Sequence, residues 1–317
     1  MSGLPSDARS LLRWGTLCYL AAPSPGGPHV TPVVFALDRS RLWATTSRGA
    51  VKAAAWRRHP VAGGLVQVGE RAVAFRGTVT LYDALDPFTW PAVAFRAPAV
   101  VRASTKFTLK NARFFAGYAR DARRVPLSWT PPGRIAVSVD LEAGAVLEGE
   151  DLVDTWGEWG SEAAGRTSFR AARRSAFPDG ELPEELGELV APAGRGVLGL
   201  EGGDAPVVLP VRWARADGAY YAVLPRPLLA LAGAPAEGQG SLVVDRASAW
   251  RAARMAGLML RGPADVFLPG EVRSGRTSLL ALARRAGPLP GEPAVVRLRP
   301  ERAVWWSGWA SGTVRAR

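Results

Sequence analysis

Apolar and polar positions alternate along most of this chain in short runs closed by turn residues, and a 3.6-residue spacing appears in only a few places. Asp7–Arg13 has the helical spacing, with Ser6 or Asp7 placed to cap it. Thr16–Ala22 is an apolar run ending in a Pro-Ser-Pro-Gly-Gly turn. His29–Leu37 and Leu42–Thr45 follow as strands around a turn at Asp38–Ser40. Val51–Arg58 reads as a helix that ends at His59-Pro60, because the residue before proline is biased out of the helical region. Val61–Val68 and Ala72–Tyr82 form a further hairpin around Gly69-Glu70. Pro87, Pro91 and Pro98 interrupt the next stretch. Thr105–Arg123 is helical, with Phe107, Phe114, Phe115 and Tyr118 near one face. Ile135–Leu147 returns to strand character, with a turn near Ala143-Gly144. Many short strands with a helix among them predict a small β-barrel.

The pattern then repeats. A constant shift lays Pro206 on Pro28, Pro210-Val211 on Pro32-Val33, Trp213 on Phe35 and Tyr220-Tyr221 on Leu42-Trp43. With small slips, Leu260-Arg261-Gly262 falls on Phe75-Arg76-Gly77 and Ala294–Gly308 on Ile135–Gly149. Three blocks in the same order predict two copies of one fold, each a complete domain. We place the domains at 1–150 and 191–317, joined by an acidic, Gly- and Pro-rich linker at 151–190.

At 317 residues and 48% apolar content, the chain has enough material for two cores. The formal charge of +12 is carried mostly by arginine and favours anionic ligands. It is spread along the chain, which weighs against a nucleic-acid partner. The one cysteine, Cys18, sits in an apolar run as a structural thiol and fits a reducing compartment. No stretch has the layout of a signal peptide or the length of a membrane span, so the expectation is a cytoplasmic protein without a membrane partner.

The loop Thr45-Thr46-Ser47-Arg48-Gly49 leads into the helix that carries Lys52. Hydroxyls, a glycine, a helix start and two cations together suit an anion; a helix cap followed by a solvated basic face is the alternative. Gly160–Thr167 and Gly270–Thr277 mimic a phosphate-binding P-loop, but each has arginine where the motif needs lysine, and we reject them. The two histidines, His29 and His59, have no partners at metal-ligand or triad spacing, so no metal site is expected. The cluster Trp305, Trp306, Trp309 either covers a planar ligand or packs in a core or interface.

Pro28–Lys52, with HVTPVVF, a turn, LWATTSRG and a helix ending Arg57-Arg58-His59-Pro60, resembles the pyridoxamine-phosphate-oxidase-like family of FMN-binding split β-barrels. Arg76-Gly77-Thr78-Val79 continues the likeness. The resemblance implies a mainly β fold with helices, two split β-barrel domains in tandem. It implies Val33 and Val34 beside a flavin ring, and Thr45, Thr46, Ser47, Arg48 and Lys52 around its phosphate tail. The cofactor would be FMN, with a deazaflavin coenzyme or haem as alternatives. The function would be a flavin- or deazaflavin-dependent oxidoreductase acting on an unidentified small redox substrate; the alternative is a non-catalytic flavin- or haem-binding protein. Gly49-Ala50-Val51-Lys52 departs from the Gly-Ser-Arg-Lys of the oxidase proper, and Ala72 stands where a glutamine is frequent. In the second copy the loop reads Val223-Leu224-Pro225-Arg226, with Ala230 at the position of Lys52. Members are usually homodimers with cofactors at the interface. The tandem chain therefore implies an intrachain pseudo-dimer with one working site, with room for further homodimerisation.

Overall fold

The computed structural model describes residues 4–121, 123–125, 133–159, 182–246, 248, 251–273 and 277–316. The chain opens with α1 (Ser6–Trp14), preceded by Pro5 with no side-chain cap, so neither Ser6 nor Asp7 takes that role. Six strands follow: β1 (Leu17–Ala22), β2 (His29–Asp38), β3 (Arg41–Ser47), β4 (Val61–Val68), β5 (Arg71–Tyr82) and β6 (Arg134–Glu148). They pair antiparallel in the order β3-β2-β1-β4-β5-β6, and β3 pairs with β6 to close a barrel. The alternation has its usual cause: one face of each strand fills the barrel, with Leu20, Phe35, Leu42, Val73, Phe75 and Val139 fully or nearly fully buried.

The second half repeats this plan with β8 (Ala193–Leu200), β9 (Val207–Ala216), β10 (Ala219–Pro225), β11 (Glu237–Arg246), β12 (Ala256–Phe267) and β13 (Pro293–Leu298). Their order is β11-β8-β9-β10-β13-β12, closed by β11–β12 pairing. The strand at the end of each half differs in one way. In the first barrel β6 runs unbroken through Ala143-Gly144, where the sequence predicted a turn; a register shift against β5 at Arg76/Gly77 bends it instead. In the second, the equivalent strand is split into β13 and β14 (Arg302–Ser307), both paired with β12. A last strand then extends each sheet, β7 (Asp151–Trp156) on β6 and β15 (Ala310–Arg315) on β14. The start of the expected linker is therefore part of the first sheet. The P-loop mimic at 160–167 lies outside the described residues, and the one at 270–277 lies partly outside them.

Helices occupy matching places in the two halves. α2 (Val51–Arg58) follows β3, and α6 (Arg226–Ala232) follows β10. Between the fifth and sixth strands of the first barrel come α3 (Trp90–Phe95), α4 (Ala97–Lys110) and α5 (Ala112–Arg120). The equivalent stretch of the second barrel holds α7 (Pro269–Arg273) and α8 (Thr277–Ala286). Thr105–Arg123 is thus two helices broken at Asn111, and Pro98 lies in the first turn of α4, where a missing N–H costs nothing.

The barrels share one apolar core. Ala21, Val30, Leu65 and Ala74 of the first belong to the same buried cluster as Val208, Leu242 and Met259 of the second. Gly63 lies so close to the Pro206 carbonyl that a Cβ there would sit 1.9 Å from the oxygen. Arg261 reaches across to the Ser24 hydroxyl and to the backbone carbonyls of Pro25 and Gly27. The Tyr19 hydroxyl donates to Asp245 at 2.9 Å.

Candidate functional site between the barrels

β2, the end of β3 and the start of α2 form one side of a cleft of about 320 Å³, within the range of about 300–1,000 Å³ usual for small-molecule sites. Thr31, Val33, Val34, Thr45, Thr46, Ser47 and Lys52 line it. Six of the seven predicted site residues are thus brought together. The reason is local: β2 and β3 are neighbours, and a residue early in α2 sits over their ends.

Lys52 is buried at 4% exposure, and its Nζ donates to the Thr31 hydroxyl at 2.7 Å. Burial brings its pKa down to about 7, and Arg134 nearby acts in the same direction. Arg134 donates to the Thr45 carbonyl at 2.9 Å and to the Thr45 hydroxyl at 2.5 Å, and burial lowers its pKa too. Among the described residues, no acidic side chain lines the cleft. A buried ammonium on a hydroxyl, with a half-buried guanidinium beside it, makes a site that favours an anion.

Arg48 is the exception to the expected set. Its guanidinium grips Asp83 at 2.6–3.0 Å, Arg57 binds the same carboxylate at 3.1 Å, and Arg48 does not line the cleft. A carboxylate as buried as Asp83 needs such partners, and the two arginines hold its pKa below the ordinary range. Arg48 therefore secures the loop from outside.

The opposite side of the cleft comes from α5 and from the second barrel. Phe114 and Tyr118 project from α5. Trp305, Trp306, Gly308, Ala310 and Ser311 come from the β14–β15 hairpin, with Ala252 and Met255 beside them. Gly257 faces Trp306 across the β12–β14 pair, and Gly312 faces Trp305 across β14–β15; an added Cβ would meet the indoles at 2.2 and 2.6 Å. Those glycines let the indoles lie against the neighbouring strands. Trp309 meets Tyr118 edge-on at 5.0 Å, tying the hairpin to α5. His29 also borders the cleft; its Nδ1 is buried without a partner, and burial lowers its pKa to about 3, so it is neutral. Cys18 lies outside the lining, its pKa raised by burial to about 12, which keeps it an inert thiol.

Sequence reasoning missed Thr31, Arg134, Phe114 and Tyr118. Arg134 had a signal: it opens β6 directly opposite Ser47, and assuming barrel closure would have placed it there. The matching cleft of the second half is differently furnished. Arg212 stands at the position of Val34 and pairs with Glu150, which extends from the first barrel. Val223, Leu224, Pro225, Ala230 and Pro293 occupy the places of Thr45, Thr46, Ser47, Lys52 and Arg134. Its charge is already balanced internally.

No family model matches the chain, and no curated protein matches it significantly. Among solved structures, General Stress Protein 26 of Bacillus anthracis aligns with 44% of this chain and 91% of its own, at 10% identity and a TM-score of 0.30. An F420 reductase aligns with 45% of this chain and 98% of its own, at 22% identity and 0.31. A pyridoxamine 5'-phosphate oxidase-related FMN-binding protein of Nostoc punctiforme aligns with 45% of this chain and 78% of its own, at 18% identity and 0.32. The fold rests on strand order and closure. On those, the chain is a mainly β protein with helices, built of two closed six-strand antiparallel barrels in tandem.

Proposed function

We propose that the cleft binds one phosphate-bearing flavin-type cofactor per chain, FMN or a deazaflavin, and that the protein is an oxidoreductase acting on a small organic substrate. The observation that carries this is the buried Lys52 on Thr31, with the half-buried Arg134 on Thr45 beside it, in a cleft walled by aromatic rings. Lys52, Ser47 and the first turn of α2 would hold the phosphate, with Arg134 adding positive charge. Val33 and Val34 offer an apolar strand face to a ring system, and Trp305 and Trp306 exclude water from the other side. The bound cofactor would supply hydride transfer. His29, neutral, would contribute no charge.

Titration of the purified chain with FMN, followed by flavin fluorescence, should saturate at one equivalent per chain. Saturation at two equivalents, or no binding of FMN or a deazaflavin, would sink the reading. That no carboxylate lines the cleft among the described residues favours a second reading, a non-catalytic binder of a flavin or haem. Turnover of a reduced nicotinamide donor with a dye acceptor separates the two, since the binder would show none.

A further inference from the structure

Three arginines stand side by side on the wall that the second barrel presents to the first. Arg261 on β12 is directly opposite Arg302 on β14, and Arg302 is directly opposite Arg315 on β15. Residues paired in this way in an antiparallel sheet share a face. The next rungs on that face are Met259, Val304 and Thr313, then Gly257, Trp306 and Ser311. Val304, Trp306 and Ser311 line the cleft, and Arg302 follows Val304 along the same face of β14 at about 7 Å. The face rests on β2. The Val30 N–H donates to the Met259 sulfur, and Arg261 reaches the turn before β2. His29, at the start of β2, therefore sits at this end of the cleft. Its Nδ1 is buried without a partner; burial first, then the positive charges of Lys52, Arg261 and Arg302, keep the ring unprotonated.

Like charges directly opposite each other destabilise a sheet, and here two such pairs are adjacent. Arg261 offsets its burial with the Ser24 hydroxyl and two backbone carbonyls. Arg302 does not: its Nε is buried with no hydrogen-bond partner. Among the described residues no carboxylate pairs with Arg302 or Arg315, the adjacent exposed Glu301 included. Asp245, opposite Gly257, accepts from Tyr19, and Asp265 is held by Arg297. The first barrel gives the comparison. There Arg76 is opposite Ala143, and Gly157 lies against Ala143 in turn. The fold builds this rung with one arginine, and the other two are peculiar to the second barrel. An orphaned guanidinium nitrogen among like charges is what an oxyanion would complete.

We infer that Arg302 and Arg315, with His29 beside them, form an oxyanion-binding subsite at this end of the cleft, and that the substrate is an organic anion whose carboxylate or phosphate docks there. Assigning the anion to the substrate rests on the function proposed above; the subsite itself does not. Lys52, Ser47 and Arg134 belong to the first barrel's side, so the two anion positions are held by opposite walls. A guanidinium meets a carboxylate or phosphate with two parallel N–H bonds, and the unpartnered Nε of Arg302 is suited to be one of them. The neutral imidazole offers a hydrogen bond without adding charge.

Thermal unfolding of the full chain, with inorganic phosphate as the probe and chloride at matched ionic strength as the control, tests the subsite. Lys52→Met is the background, because it removes the competing cation of the first barrel. Phosphate should raise its melting temperature by about 2 °C or more. With Arg302→Gln and Arg315→Gln added, that response should vanish, and the phosphate-free melting temperature should rise by about 1 °C as the like-charge pairs go. A lower phosphate-free melting temperature would mark the arginines as structural, and an undiminished phosphate response would put the anion elsewhere; either overturns the subsite. Flavin fluorescence of the Arg302→Gln, Arg315→Gln chain with Lys52 intact then decides the source of the anion. FMN affinity within about twofold of the parent's leaves the subsite to the substrate, whereas a loss of about tenfold or more gives it to the cofactor phosphate and overturns the substrate assignment. A parent chain that binds no FMN yet keeps the phosphate response would sink the proposed function and the substrate assignment while supporting the subsite.

Discussion

Lys52 concentrates the physical tension of the site. An ammonium group at 4% exposure, with a hydroxyl as its hydrogen-bond partner, is costly to keep charged, and its pKa falls to about 7. In the unfolded chain it titrates near the ordinary value of about 10.4. Between these values the unfolded chain binds the extra proton, so stability should rise with pH from about 7 towards 10. Lys52→Met should flatten that slope, which urea unfolding across the range would measure. A cofactor phosphate reverses the balance by favouring the charged amine. FMN affinity should therefore weaken above about pH 7, and an affinity that holds constant to alkaline pH would remove Lys52 from the phosphate. Loss of a charge-assisted hydrogen bond is worth about 1.5–3 kcal/mol, so Lys52→Met should weaken FMN roughly 10- to 100-fold with the fold intact.

At the scale of elements, one glycine in each barrel lets a bent or broken strand come close to its neighbour. Gly77 on β5 lies where a Cβ would be 2.0 Å from the Asp140 carbonyl oxygen, and Gly262 on β12 stands at 2.1 Å from that of Arg299. These are matching positions in the repeat, and in both the facing strand bends or breaks just there. The Arg-Gly pair that recurs in the sequence is thus a packing requirement of the barrel. Gly77→Ala should cost about 1–3 kcal/mol, and Gly49→Ala, where an added Cβ meets nothing, should stay within about 0.5 kcal/mol. Equal urea midpoints for the two variants would contradict the close-approach account.

For the whole molecule, the shared core makes the two barrels one cooperative body. Alanines and glycines at the contact let backbones approach, and Arg261 is buried across it with carbonyl partners. Thermal unfolding followed by far-ultraviolet dichroism and by tryptophan fluorescence should give coincident single transitions. Two separate transitions would mean that the barrels fold independently. The shared body also explains the asymmetry of the clefts: Glu150 of the first barrel neutralises Arg212 in one, and Trp305 and Trp306 of the second barrel wall the other.

Alternation and turn chemistry determined the strands, since period-2 burial leaves its mark residue by residue; β2, α2 and β4 fall within a residue of their expected limits. Local order also determined the Thr45–Ser47 and Lys52 side of the cleft, because those residues are close along the chain. Only the tertiary structure decided the rest. Barrel closure brought Arg134 opposite Ser47, a buried carboxylate at Asp83 drew Arg48 away, and the docking of the second barrel delivered the tryptophans. Each of these depends on a pairing between segments distant in sequence, and no periodicity within either segment encodes it.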